Sequence, residues 1–231
     1  MNGRKPPRTV HPRGTSPDRA RPPRHPLPSG ADAARLFIPQ GYEPGYAYPL
    51  LVWLPDPADA RFDLARTMAR VSLRNFVAVQ PSAAADGIEE AVWRAVDSVR
   101  QRLAIHGERI YLVGQGAGGT EAFRIACRHP DSFAGAVSLA GPFPLEEPLF
   151  ARLDRVRRLP MLLCCRRDTD AESARRTDRT LRLFHAAGGT LALRIYPERG
   201  AVSRAILADV NRWLMDEICG TTRAVPSACG S

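Results

Sequence analysis

No run of this chain is long and apolar enough to span a bilayer, and no apolar stretch follows the basic residues at its start. The first absence excludes a transmembrane helix, which needs about 20 apolar residues. The second leads us to expect no signal peptide. Cysteine is scarce: five residues, at 127, 164, 165, 219 and 229, an odd number with no C-x-x-C spacing. That argues against a disulfide framework and against a zinc centre. Cys164 and Cys165 fall side by side in an apolar run that reads as a strand, so they face opposite ways and behave as small hydrophobes. A reduced, cytoplasmic protein with no metal and no other cofactor is expected. Histidine is scarcer still where the chain can fold, since beyond residue 30 only His106, His129 and His185 occur. Proton transfer near neutral pH falls first to histidine, so few candidates exist for it. No segment repeats.

What is present is unevenly charged. The net charge is +9, and residues 1–30 hold seven of the cations (Arg4, Lys5, Arg8, Arg13, Arg19, Arg21, Arg24) against Asp18 alone. Eight of the 21 prolines lie there too. Such a segment has nothing to bury, so 1–30 is expected to be a disordered basic tail. It could touch nucleic acid or anionic lipid weakly; an ordinary solvated extension is the plainer reading. The folded domain is expected over 31–219, with a loose tail over 220–231. A chain of 231 residues suits one α/β domain.

From residue 31 the pattern alternates. Apolar runs predict strands at Arg35–Ile38, Pro49–Leu54, Phe76–Gln80, Ile110–Gly114, Ala134–Leu139, Met161–Cys165 and Thr190–Tyr196. Helical spacing links Ile88, Val92, Val96, Val99 and Leu103, and again Ile206, Val210, Trp213 and Leu214, with Ser203 as an N-cap. Strands alternating with helices predict a mostly parallel, twisted α/β sheet of about seven strands, helices on both faces and no sizeable lid domain. Ligand sites in such sheets lie at the carboxyl ends of the strands.

One strand end stands out. Residues 110–119 read Ile-Tyr-Leu-Val-Gly-Gln-Gly-Ala-Gly-Gly, an apolar strand, a glycine turn and a helical pattern from Thr120 to His129. This is the strand–turn–helix setting of the G-x-S-x-G nucleophile elbow, with Gly116 where the serine would stand. Together with Tyr-Pro-Leu-Leu-Val-Trp-Leu-Pro at 48–55, Arg-His-Pro-Asp-Ser-Phe-Ala-Gly at 128–135, Leu-Pro-Met-Leu-Leu at 159–163 and Leu-Arg-Ile-Tyr-Pro at 193–197, it resembles the α/β-hydrolase superfamily. In particular it is similar to small bacterial esterases of the phospholipase/carboxylesterase group, over about residues 31–219.

The resemblance implies a set of functional positions. The nucleophile falls on Gly116. The acid follows the penultimate strand, where Asp168 and Asp170 are both available. The base follows the last strand, in a stretch that reads Tyr196-Pro197-Glu198-Arg199-Gly200-Ala201, so Ala201 takes the histidine position. Two backbone N–H groups should form the oxyanion hole. Ala117 can supply one, and the other belongs to the loop Pro55-Asp56-Pro57, where only Asp56 has an N–H because proline has none. Loss of nucleophile and base together points away from serine-hydrolase chemistry, since the two act as a unit. His106, His129 and His185 read as surface or capping residues. Ser82 and Ser138, near strand ends, have no evident base and read as ordinary polar loop positions.

Three other readings stay open. An active esterase could use a relocated nucleophile, or water activated by Asp168 or Asp170. Gly114, Gly116 and Gly119 also spell the G-x-G-x-x-G of dinucleotide sites, but they follow three earlier strands and no carboxylate ends the next strand, as ribose binding requires. Arg166 and Arg167, with the helix N–H groups at Gly118, could hold a small anion. The expected function is that of an esterase-like fold that has lost hydrolysis and binds a small ester-like or anionic ligand, or a protein partner.

Overall fold

The computed structural model describes residues 34–82, 87–148, 153–167, 171–197 and 202–220. The proposed tails apart from Gly220, together with Asp168, Asp170 and Ala201, lie outside the described residues. Seven strands form one sheet: β1 (Arg35–Phe37), β2 (Tyr48–Leu54), β3 (Val77–Gln80), β4 (Ile105–Gln115), β5 (Gly135–Leu139), β6 (Met161–Arg166) and β7 (Leu191–Tyr196). Their order across the sheet is β1-β3-β2-β4-β5-β6-β7. Only β1 runs antiparallel to its neighbour; every other pairing is parallel.

Burial on both faces explains the unbroken apolar strands. In β2 all seven residues are buried, and their side chains alternate between two cores. Leu50, Val52 and Leu54 enter one, while Leu51 and Trp53 enter the other. β4 repeats the division with Ile110 and Leu112 against Tyr111 and Val113. A parallel strand needs this cover because its connections place helices on each face.

Among the described residues, six helices supply that cover. α1 (Leu64–Val71) and α6 (Arg204–Cys219) close one face with Leu64, Met68, Val71, Ile206, Val210 and Leu214. On the other lie α2 (Ile88–Arg100), α3 (Ala117–Arg128), α4 (Leu153–Val156) and α5 (Ala171–Ala187), represented in its core by Val96, Phe123, Val156 and Phe184. Among the described residues the elements are all taken by the sheet and its cover, and none builds a lid. Short polar side chains cap the starts of α1 and α6. Asp63 accepts the Arg66 N–H at 2.9 Å, and Ser203, as expected, accepts that of Ile206 at 3.3 Å. Gly220, left-handed at φ 73°, stops α6.

Two features differ from the sequence reading. β4 begins at Ile105, five residues before its apolar run. His106 therefore lies inside the strand rather than ahead of it, at the end remote from the carboxyl edge. Ser138 is no loop residue: it sits within β5, fully buried, and its Oγ donates to the Gly141 carbonyl at 2.7 Å and accepts the Gly141 N–H at 3.1 Å. With both roles filled inside a core, that hydroxyl is held as a turn brace.

Candidate functional site

The carboxyl ends of β2, β4, β5 and β6 meet the start of α6 around one cleft of about 230 Å³. It is lined by Asp56, Gln115, Gly116, Ala140, Arg166 and Ile206, among others. Its floor is the turn between β4 and α3. Gly116 is the N-cap of α3, with φ 52° and ψ −125°. A non-glycine residue holds such angles only under strain. The chain reverses there so tightly that the backbones touch. A Cβ on Gly114 would lie 2.1 Å from the carbonyl oxygen of Gly118, and one on Gly118 would lie 2.2 Å from that of Leu54. The glycines at 114 and 118 are thus accounted for by contact between β4, the first turn of α3 and the end of β2. The N–H groups of Ala117 and Gly118 precede any intrahelical acceptor, as at every helix start, while Gly119 and Thr120 both donate to the Gly116 carbonyl, at 2.9 and 3.3 Å.

Above Gly116 stands a carboxylate. A Cβ built at this position would meet Asp56 Oδ2 at 1.9 Å and Asp56 Cγ at 2.7 Å. The place from which a nucleophile would project is therefore filled by a side chain from the loop after β2. Asp56 is fixed there by its own turn. Its Oδ1 accepts the N–H of Ala58 at 3.0 Å, and its carbonyl accepts that of Asp59 at 2.9 Å. Asp59 in turn receives the amide of Gln115 at 3.5 Å. Sequence reasoning placed Asp56 at this site as a backbone donor and missed its side-chain role. The contact joins residues 60 positions apart and has no local signature.

Arg166, the last residue of β6, lines this cleft and a second one of about 250 Å³ beside α5. Ala140 and Cys165 are likewise shared, so the two hollows adjoin. The second is bordered by Ser173, Arg176, Thr177 and Thr180 of α5. Ala140, between them, is left-handed at φ 64°, a conformation that alanine adopts only under constraint. Arg167 points its backbone elsewhere, donating its N–H to the Tyr196 carbonyl at 2.7 Å.

The cysteines at the cleft are poor nucleophiles. Burial pushes the Cys164 thiol up to about 12 despite a hydrogen bond with Tyr196, and burial also raises Cys165. A thiol held protonated is inert at neutral pH. Tyr196, at the end of β7, donates its hydroxyl to Asp209 Oδ2 at 2.9 Å. Burial and that carboxylate raise its pKa.

None of the three histidines beyond residue 30 reaches the cleft. His106 Nδ1 accepts the Glu108 N–H at 3.3 Å at the start of β4. His129 caps the far end of α3, with Nε2 2.5 Å from Glu89 Oε1 and its ring edge-on to Trp93. His185 is exposed near the end of α5. Among the described residues no group of three His, Cys, Asp or Glu side chains could hold a metal ion, and no helix is long and apolar enough to cross a membrane.

No protein-family model matches the chain. A 49-residue stretch is 39% identical to a Nocardia uniformis subsp. tsuyamanensis protein named "Putative esterase NocK", covering 21% of this chain and 14% of that protein. Solved structures align far more widely. A carboxylesterase from Mesorhizobium loti superposes over 82% of this chain and 98% of its own, at 17% identity and a TM-score of 0.61. Acyl-protein thioesterase 2 of Zea mays covers 80% and 98%, at 17% identity and a TM-score of 0.59. A thermostable esterase matches 80% of this chain, which spans 56% of that larger protein, at 18% identity and a TM-score of 0.56. Superposition on these esterases, with a seven-stranded, mostly parallel sheet and helices on both faces, gives the chain the α/β-hydrolase fold.

Proposed function

We propose that this protein uses the hydrolase fold to bind a small ligand, without serine-hydrolase turnover. One observation carries the reading: at the elbow, glycine replaces the nucleophile and the carboxylate of Asp56 fills the vacated space. Acyl transfer needs a hydroxyl or thiol there and donors aimed at the developing oxyanion. A carboxylate at the same point offers a like charge to that oxyanion. Its neighbours Pro55 and Pro57 have no N–H to contribute, which leaves Asp56 alone to supply the second donor. Alanine at position 201, where the resemblance implies histidine, supports the same conclusion.

The decisive measurement exposes purified protein to a fluorophosphonate probe and to short activated acyl esters. The expected result is no stoichiometric label and no hydrolysis above buffer. Label mapped to one serine, or ester turnover that Asp56→Asn abolishes, would overturn the proposal and establish an active hydrolase with a non-standard nucleophile. The carboxylate of Asp56 is the observation that keeps this second reading in view.

A further inference from the structure

We infer that the ligand of this cleft is a zwitterion, held by its cationic end at Asp56 and by its carboxylate at Arg176. The inference rests on reading the cleft as a binding site and adds the chemical class of its occupant.

Two side chains of opposite charge, Asp56 and Arg176, line the adjoining hollows, each with part of its hydrogen-bonding capacity unused among the described residues. Asp56 is partly buried, with Oδ1 engaged by Ala58; among the described residues nothing donates to Oδ2, the oxygen nearest Gly116. Arg176 lines the neighbouring hollow with a side chain that is 40% exposed, and its covered Nε has no acceptor. The guanidinium makes one long contact, from Nη2 to Glu146 Oε1 at 3.4 Å, where Glu146 is 70% exposed. A buried N–H of a charged group left unpaired carries a desolvation cost that an acceptor removes.

Between these atoms run residues that fit a short apolar spacer. Ala140, Cys165 and Arg166 line both hollows, and Gly141, Phe143 and Leu163 continue the wall. Thr177 and Thr180 turn their hydroxyls back to the α5 backbone, donating to Ser173 and Arg176 carbonyls at 3.0 and 2.8 Å, and so do not compete for a ligand. A simple anion would meet Asp56 as a like charge, and a simple amine would leave Arg176 unanswered. A molecule with ammonium at one end and carboxylate at the other satisfies both. An aliphatic ω-amino acid is the simplest such molecule.

The test uses the full chain and straight-chain ω-amino acids from glycine to 6-aminohexanoate, titrated by calorimetry. The matched n-alkylamines and n-alkyl carboxylates serve as one-ended controls. Affinity is expected to peak at one chain length and to exceed either control by about tenfold or more, the scale of one charge-assisted hydrogen bond. Asp56→Asn and Arg176→Met should each reduce the best amino acid to the affinity of a one-ended control. Neither change alters helix propensity or packing volume greatly, and far-ultraviolet circular dichroism checks that both variants fold. If carboxylates alone bind as well as the amino acids, or if Asp56→Asn leaves affinity unchanged, the zwitterion assignment fails while a binding role survives. If no compound in the series binds at all, the assignment also fails. Ester turnover by the wild type would instead strike the functional proposal itself.

Discussion

The two ends of α3 are built on opposite plans. The N-terminal end has almost no side chains: Gly114, Gly116, Ala117, Gly118 and Gly119 bring three backbones into contact, and one carboxylate covers them. The C-terminal end is crowded with charge. Arg128 reaches Glu89 and Glu147, each at 3.2 Å; Arg124 pairs with Glu121 and with Glu147; His129 meets Glu89 at 2.5 Å. A histidine–carboxylate pair, the combination that activates a serine, exists in this molecule, but a 12-residue helix of about 18 Å separates it from the elbow. At the far end the pair is structural. Basic residues there also suit the negative end of the helix dipole.

The contrast predicts different tolerance to substitution. The largest effect is expected for Gly118→Ala. Within a helix this exchange ordinarily stabilises by about 1 kcal/mol. Here the new methyl would strike the carbonyls of Leu54 and Pro55, at 2.2 and 2.6 Å, which are backbone atoms with nowhere to move. The sign should reverse, with a loss of about 3 kcal/mol in urea unfolding monitored by circular dichroism. An unchanged or higher midpoint would break the claim that backbone contact rules this end.

Gly116→Ala comes next, at about 2 kcal/mol, combining φ strain with the Asp56 contact. Asp56→Ala should recover part of the loss, giving a coupling above about 0.5 kcal/mol in a double-mutant cycle. Simple additivity would mean that Asp56 does not press on this position.

At the other end His129→Ala should cost about 1 kcal/mol, for one hydrogen bond and an edge contact to Trp93. The variant should bind any cleft ligand as wild type does. A change in ligand affinity would contradict the separation of the two ends.

The smallest effect concerns acid. Burial raises the Glu89 carboxyl, but hydrogen bonds from His129 and Arg128 outweigh it and hold the group below the ordinary glutamate value. The unfolded chain therefore takes up the proton first. This contribution is complete above the usual glutamate range, near 4.3, and fades as pH falls through the lower folded value. Glu89→Gln should flatten that part of the pH–stability curve by less than about 1 kcal/mol, since each partner is about one third exposed to solvent. A curve identical to wild type below pH 5 would remove Glu89 from the account.

The inner strands are legible because β2, β3, β5 and the apolar stretches of β4 and β6 are buried on two sides and so are mainly apolar, whereas β1 and β7 at the sheet edges are more exposed. β4 was shortened at its start because His106, Gly107, Glu108 and Arg109 lie where the strand projects past the core. α1 is short, and its signal is confined to Leu64, Met68 and Val71 at helical spacing behind the cap Asp63. α5 offered less, with only Thr180 and Phe184 buried in 17 residues. The elbow could be read because its glycines are local in sequence. Asp56 over Gly116 could not, since a contact across 60 positions is decided by how β2 and β4 lie side by side, and Arg176 belongs to the helix that sequence patterning described least.

The seat that Asp56 occupies also sets an order on sequence change. A hydroxyl-bearing residue introduced at 116 enters a site already filled, and bears both the strain of the turn and the collision. Shortening Asp56 first leaves glycine in place and the turn relaxed, after which only the strain remains. Random drift or directed selection toward a nucleophile at this elbow is therefore channelled through position 56 before position 116, and a screen of single substitutions at 116 alone begins from the wrong side of that barrier.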